Sequence, residues 1–512
     1  MSTQQSFDHG SGLPGEIPAP GMLIAGESVA AASGRRFEDR NPATGQLLAT
    51  LPDGDAQDVE RAVRSARDAL PAWSRLGDVE RARLLNRLAD LLDAQGERIA
   101  QIEARDNGRP LRETSSQSGI VARWFRYFAG FAGKIEGETI PVEGPYLNYT
   151  RRVPVGVCGA ITSWNHPMLI ATKKIAPALA CGNVVVAKPS ELAPLSVLEL
   201  GRLAIDAGLP PGVLNVVTGQ GQAGAALARH PDVDRVDVTG STATGVAVAT
   251  AAAPTMKRLG FELGGKAANI VFADADLARA AAGAVFAGYI AQGQSCVSGS
   301  RLLVQRSVAR QVAEQVADRV RRIRLGDPID PDTQMGPVIT QDAATRIRAH
   351  ITDALDAGAE LLAGGAEPPR LADGLVSAAF VAPTLLWTDD HSIRAATEEI
   401  FGPVVTLIPF DDEEEAVAIA NSLRYGLGAA VWTRDVARAH RTLAALRAGV
   451  AWVNDYHRID PASPWGGFGL SGYGRENGWE AIRMFTEVKS AWVSLEDQPM
   501  SWYDSDAPKR LN

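Results

Sequence analysis

The stretch Val155-Gly156-Val157-Cys158-Gly159-Ala160-Ile161 is followed by Pro167 to Ala180, by Val184-Val185-Val186-Ala187, and by a helical stretch over 194–207. This succession decides the fold. The short runs of small and β-branched residues show no polar alternation, so each predicts a strand buried on both faces. The longer stretches have helical spacing. Pro167 stands where a first turn tolerates a missing N–H, and Gly182 lies just past the other end. The same alternation continues with a strand at 213–217, a helix at 221–229, a strand at 236–238 and a helix at 242–252. Strands alternating with helices predict a parallel, doubly wound sheet.

A second series follows Glu262, with strands at 269–272 and 302–304, helices at 277–292 and 307–322, and further units to about residue 455. The expected fold class is α/β, with two α/β units meeting near residue 262. Upstream, 56–72 and 78–105 have helical periodicity with alternating charge. The stretches 139–143, 146–152 and 488–493 look extended and have no local partner. Such strands pair across subunits, so a homo-oligomer is expected.

Composition narrows the function classes. At 512 residues, 46% hydrophobic and 22% charged, the chain is an ordinary globular protein of two or three domains. A net charge of −9 argues against nucleic-acid and anionic-membrane partners, which need a basic face. No apolar run approaches the length of a membrane span. Residues 1–20 read as a flexible polar arm and not as a signal peptide. The three cysteines, Cys158, Cys181 and Cys296, are far apart and form no CxxC. They suggest neither a zinc site nor a disulfide framework, and point to a reducing, cytoplasmic compartment. The seven histidines show no ligand spacing, so no catalytic metal is expected.

The chemistry is concentrated at the junction. Cys296 closes Gly293-Gln294-Ser295-Cys296, among residues small enough to admit a substrate. Glu262 opens Glu262-Leu263-Gly264-Gly265-Lys266, where a Gly-Gly turn can aim a carboxylate. A nucleophile and a general base together suit a two-step acyl transfer. Cys158 in an apolar strand and Cys181 at a helix end read as small hydrophobes.

Two glycine turns compete for a phosphate. Gly219-Gln220-Gly221-Gln222-Ala223-Gly224 fits GxGxxG, with Asp237 downstream as a ribose partner. Gly240-Ser241-Thr242-Ala243-Thr244-Gly245 can cap a helix whose N-terminus faces an anion. Lys188-Pro189-Ser190-Glu191 ends a strand and suits ribose hydroxyls; Glu191 would repel a 2′-phosphate, which favours NAD over NADP.

With these motifs in order, the chain resembles the NAD(P)-dependent aldehyde dehydrogenase superfamily, of the hydrolytic, non-CoA-acylating kind, from about residue 22 to 497. Asn41-Pro42-Ala43-Thr44-Gly45, Ile161-Thr162-Ser163-Trp164-Asn165-His166-Pro167, Glu398-Glu399-Ile400-Phe401-Gly402-Pro403, Trp465-Gly466-Gly467-Phe468 and Ser471 to Glu476 complete the pattern. Ser163 departs from it, since proline is commoner there. The resemblance implies a Rossmann-like cofactor domain (21–130 and 153–261), an α/β catalytic domain (262–482) and a small β oligomerisation ribbon (131–152 and 483–497), with a tail at 498–512. It implies a dimer or homotetramer.

It also implies roles. Cys296 would be the nucleophile, Asn165 an oxyanion donor and Glu262 the base that activates water on a thioester. NAD would be held by Trp164, Lys188, Ser190, Glu191, Gly219, Gly240, Ser241, Thr242, Gly245, Leu263, Gly264, Glu399 and Phe401. The pyrophosphate would lie at Gly240-Ser241-Thr242, with Gly219 nearer the adenine and Asp237 reduced to a strand residue. Lys174 and Glu476 would form either a proton path or a salt bridge. The aldehyde funnel would be lined by His166, Leu169, Lys173, Ile290, Ser295, Val297, His457, Ile459 and Trp465. Betaine-aldehyde and aminoaldehyde relatives are the partial match, but only Trp465 of their aromatic cage is present. Betaine aldehyde therefore ranks below an aromatic, aliphatic or acidic semialdehyde. Lys173 could point inward or to solvent at the rim. A cofactor-free cysteine esterase or thioesterase, and a non-catalytic protein of this fold, are the competing readings.

Overall fold

The computed structural model describes residues 21–497, so the arm expected over 1–20 and the tail over 498–512 lie outside the described residues. Two seven-stranded sheets and a three-stranded ribbon organise the chain. In the first sheet Arg258–Glu262, Arg235–Thr239, Val157–Ile161, Val184–Lys188 and Leu214–Val216 lie side by side and parallel. Met22–Ile24 and Glu27–Val29 extend the edge antiparallel. The central strands are buried on both faces, as their unbroken apolar runs require. Helices Pro167–Ala180 and Leu195–Asp206 cover the sheet with almost wholly buried surfaces.

In the second sheet Thr384–Trp387, Val404–Phe410, Arg301–Gln305, Ala268–Val271, Gly428–Trp432 and Val450–Val453 run parallel, with Glu360–Ala363 antiparallel at one edge. The chain passes from Glu262 through Leu263 to Ala267 directly into Ala268–Val271. That crossing makes the carboxyl ends of the first sheet face the amino ends of the second.

Three expectations change. The helix expected over 78–105 is two helices, Asp78–Ala94 and Gly96–Asn107, broken at Gln95 beside a helix-weakening glycine. The helix expected over 277–292 stops at Tyr289, because Ala291 and Gln292 turn left-handed. The extended stretches do have partners within the chain. Thr486–Ser494 pairs antiparallel with Tyr146–Pro154, from Thr486 opposite Pro154 to Ser494 opposite Tyr146, and Thr139–Ile140 joins the other edge. Their separation along the sequence hid the pairing. On the ribbon's surface Tyr146, Leu147, Val488, Trp492 and Val493 are exposed.

One fully buried side chain ties these parts together. Asn183 accepts the N–H of Gly156 at 2.8 Å and donates to the carbonyls of Ala178 at 3.0 Å and Phe485 at 2.9 Å. It thereby joins the first strand, the helix that follows it and the lead into the ribbon. Asn183→Ala leaves the buried Gly156 N–H without its acceptor and strips one of two donors from the carbonyls of Ala178 and Phe485, which keep the N–H groups of Asn183 and Val155. We expect it to cost on the order of 2 kcal/mol, seen as a lower midpoint of chemical denaturation; an unchanged midpoint would refute the tie.

Candidate active site

The first sheet steps one way from Val157–Ile161 to Val184–Lys188 and Leu214–Val216, then returns on the other side with Arg235–Thr239. A crevice opens where the order reverses, outside the carboxyl ends of the strands. Asn165, Lys188, Gly240 and Glu262 all lie at those ends. The second sheet brings its amino ends to the same seam. Gly264 precedes Ala268–Val271, Cys296 precedes Arg301–Gln305, and Glu399 precedes Val404–Phe410.

The cysteine loop is held under strain. Ala291, Gln292 and Gly293 are consecutive left-handed residues, with φ of 53°, 57° and 68°. For the two with side chains this costs about 1 kcal/mol or more each, so surrounding bonds must fix it. The N–H of Ala291 donates to the Glu113 carboxyl at 3.1 Å, and Gln292 Nε2 to the Gly108 carbonyl at 2.6 Å. Gln294 Oε1 accepts the N–H of Ile339 at 2.9 Å. Asn165 Nδ2 donates to the Gln294 carbonyl at 2.9 Å, and Asn165 Oδ1 accepts from Ser163 Oγ at 2.8 Å. Ser163, the departure from the family pattern, thus fixes which end of the amide faces the cysteine loop. Gly265 is needed beneath it, since a Cβ there would lie 2.3 Å from the Cys296 carbonyl.

Burial sets the charges. The Glu262 carboxyl is pushed up to about 8, first by desolvation and then by Glu476. Its Oε2 is buried with no partner among the described residues, while Gly466, at φ 153°, makes room beside Oε1. Burial, with Glu262 adding to it, pushes the Cys296 thiol up to about 12. Cys181 is also at about 12 and Cys158 well above its ordinary value. Acidity therefore does not single out Cys296; access does. Cys296 is half-buried and lines a cavity of about 390 Å³ with Asn165 and Glu262, whereas the other two thiols are enclosed.

Glu476 behaves oppositely. Burial would raise it, but Lys173 Nζ at 2.5 Å and Lys174 Nζ at 2.6 Å hold it down at about 2. This decides the orientation of Lys173. Its ammonium is buried, 4.7 Å from the Trp465 ring centre, and does not reach the solvent rim.

The residues expected to hold a dinucleotide occupy the rest of the seam. Gly264 and Gly265 form a cradle for Glu399: the Gly265 N–H donates to Glu399 Oε1 at 2.8 Å, and a Cβ on Gly264 would lie 2.2 Å from Oε2. Burial raises Glu399 to about 7. Trp164 and Phe401 meet edge to face at 5.4 Å, with Phe401 left-handed at φ 54°. Ser241 caps the helix Thr242–Ala252 by accepting the Thr244 N–H at 3.1 Å. Gly245 lets that helix press on Leu263, whose nearest carbon would be 2.6 Å from a Cβ. Lys188 pairs with Glu191 at 3.1 Å, and Ser190 Oγ accepts the Leu192 N–H at 3.3 Å. An open helix start, a lysine–glutamate pair and a glycine cradle on one edge fit a dinucleotide.

The rival GxGxxG turn has a packing explanation. A Cβ on Gly219 would lie 2.6 Å from the Gly54 carbonyl, and one on Gly221 would meet nothing. Asp237 is taken by Arg235, which donates to it twice at 2.6 Å.

His166, Leu169, Lys173, Ile290, Ser295, Val297, His457, Ile459 and Trp465 all line the cavity. So do Arg109, Arg112, Glu113, Ser116, Gln117 and Ile120, which the sequence reading missed. Arg109 stands just before helix Leu111–Ala129 and the others lie along it, where Arg112, Glu113, Ser116 and Gln117 share one face at helical spacing. That stripe was the available signal. Arg109 Nη1 donates to Gln117 Oε1 at 2.7 Å, and Gln117 Nε2 donates to His166 Nδ1 at 3.0 Å. Burial depresses both imidazoles, His457 to about 4.

The sequence profile described as "Aldehyde dehydrogenase family" matches residues 29–491. DhaS of Bacillus subtilis (strain 168), named as a candidate aldehyde dehydrogenase, is 42% identical over 480 residues, covering 93% of this chain and 96% of that protein. PnpE, solved from Pseudomonas sp. WBC-3 and also in complex with NAD, superposes in that complex with a TM-score of 0.92 at 44% identity, over 94% of this chain and 99% of the other. A betaine aldehyde dehydrogenase point mutant from Staphylococcus aureus, holding NAD and a BME-modified cysteine, gives 0.92 at 36% identity, over 95% and 99%.

The Glu262 carboxyl carries a stability consequence independent of any reaction. Folding raises it from 4.5 to about 8, so the folded chain keeps a proton that the unfolded chain releases between those values. Stability contributed by that site therefore falls as pH rises across the window. Glu262→Gln removes the titration. We expect its thermal midpoint to gain on wild type steadily from about pH 5 to pH 8; parallel curves would contradict the buried proton.

Proposed function

The chain belongs to the aldehyde dehydrogenase family, whose reaction is the NAD-dependent oxidation of aldehydes, and from that premise we propose that it works through a thioester on Cys296 that water hydrolyses. One observation carries the reading. A reachable thiol, an amide with a free hydrogen and a buried, unpartnered carboxyl oxygen share a single cavity.

The thiol, at about 12, is almost wholly protonated at neutral pH. Its proton must leave to solvent as sulfur bonds to the aldehyde carbon, and Glu262 Oε2, unpartnered on that wall, is kept for the hydrolytic step. Asn165 Nδ2 spends one hydrogen on the Gln294 carbonyl; its second, with the Cys296 N–H, serves the oxyanion. Losing the amide costs about 10²–10³ in rate. Glu399, Phe401, Trp164, Gly264 and Leu263 would hold the nicotinamide half of NAD, and Gly240, Ser241, Thr242, Gly245, Lys188, Ser190, Glu191 and Gly219 the remainder. Bound NAD supplies the hydride acceptor. Glu262 then takes a proton from water as its oxygen attacks the thioester; the C–S bond breaks and the acid leaves. Lys173, Lys174 and Glu476 position and charge-balance Glu262.

The Lys188–Glu191 pair and the Glu399 cradle have no use in a cofactor-free hydrolase, which supports the oxidative reading. The exposed apolar face of the ribbon supports a homo-oligomer, and three free cysteines fit a reducing compartment such as the cytoplasm.

Incubation with NAD and an aldehyde tests the reading. Cys296→Ser should form no NADH. Glu262→Gln should release NADH once per site and then turn over at least about 100-fold more slowly. The steady-state rate of wild type should rise with pH through about 8, and that limb should vanish in the variant. Unimpaired turnover by either variant would defeat the mechanism.

Glu191 tests cofactor choice. Its carboxylate beside Lys188 would repel a 2′-phosphate. Glu191→Gln should raise kcat/KM for NADP relative to NAD by roughly tenfold, measured with one aldehyde; an unmoved ratio would remove Glu191 from the account.

A further inference from the structure

The cavity does not share the acidic balance of the chain. The sequence totals −9, yet Arg109, Arg112 and Lys173 line the cavity against Glu113, Glu262 and Glu476. Glu476 is shared by two lysines, which leaves an ammonium in excess. Burial raises both Glu262, to about 8, and Glu113, whose carboxyl stays paired with Arg109 at 3.4 Å.

The outer end gathers donors without acceptors to match. Arg109 is 3% exposed; its Nη1 serves Gln117 and its Nε reaches Glu113 at 3.4 Å, but its Nη2 has no partner among the described residues. Arg112 is exposed at the mouth and has no ion pair among the described residues. Because Gln117 Nε2 donates to His166 Nδ1, the ring hydrogen of His166 sits on Nε2 and is free to donate. His457 Nε2, buried in the same cavity, has no partner among the described residues. A quaternary ammonium finds no welcome here, because the ammonium of Lys173 already lies over Trp465 at 4.7 Å.

Resting on the oxidation of an aldehyde at Cys296, we propose that the substrate is a semialdehyde whose far end is a carboxylate, received by Arg109, Arg112 and His166 at the cavity's outer end. Oxidation converts the aldehyde carbon to a second carboxylate, so the product is a dicarboxylate. Water supplies the oxygen, NAD takes the hydride and the protons go to solvent.

The test compares 6-oxohexanoate with hexanal, matched in length. Wild type should favour the carboxylate-bearing aldehyde by at least about tenfold in kcat/KM, and Arg112→Ala, a surface change, should cut that ratio several-fold. Arg109→Gln should cut it further. A wild-type ratio near one, or a ratio unmoved by both variants, overturns the proposal. Calorimetry on Cys296→Ser, which cannot turn over, gives a second readout: adipate should bind about tenfold tighter than hexanoate, and equal binding overturns the proposal. If no aldehyde yields NADH, the oxidation itself fails, while the adipate comparison still decides the anion site.

Discussion

A single hydrogen bond, from the Asn165 amide to the Gln294 carbonyl, joins the two sheets where the chemistry is placed. Asn165 hangs from the end of Val157–Ile161 in the first sheet, and Gln294 belongs to the loop that enters Arg301–Gln305 in the second. The bond fixes how far the cysteine stands from the oxyanion donor. It works only because both sides are rigid. Ser163 holds the far end of the amide, and three left-handed residues lock the loop. A strained loop of this kind persists when its surroundings over-determine it, and here Glu113, Gly108 and Ile339 do so.

Desolvation supplies the second constraint. Within a few side chains it yields one carboxyl raised to about 8 and another lowered to about 2. The difference lies in the partners. Glu476 has an ammonium on each oxygen, and Glu262 has none bonded to it. Two acids in one cavity are thereby set apart, one fixed in its charge and one free to exchange a proton near neutral pH.

Much of this was legible in the residues. The uniformly apolar strands from Val157 onward dictated a parallel sheet, and a parallel sheet dictated a site at its carboxyl edge. Glu262 and Cys296 were legible because each sits among glycines that the structure needs: a Cβ at Gly265 or Gly466 would strike one of them. Other features were not legible, for physical reasons. The ribbon pairs Tyr146 with Ser494, and no local pattern encodes a partner that distant. Gly219 imitates a phosphate turn because close packing against Gly54 also demands glycine. Arg109 and Gln117 were passed over because a polar stripe at the start of a helix ordinarily faces water; here it faces a cavity.

The covalent step at Cys296 is the claim most exposed to direct measurement. Intact-protein mass spectrometry on Glu262→Gln, quenched after mixing with NAD and an aldehyde, should show one acyl group per chain. Peptide mapping should put it on Cys296. An unmodified protein that has nonetheless formed NADH, or an acyl group on Cys158 or Cys181, would contradict the account.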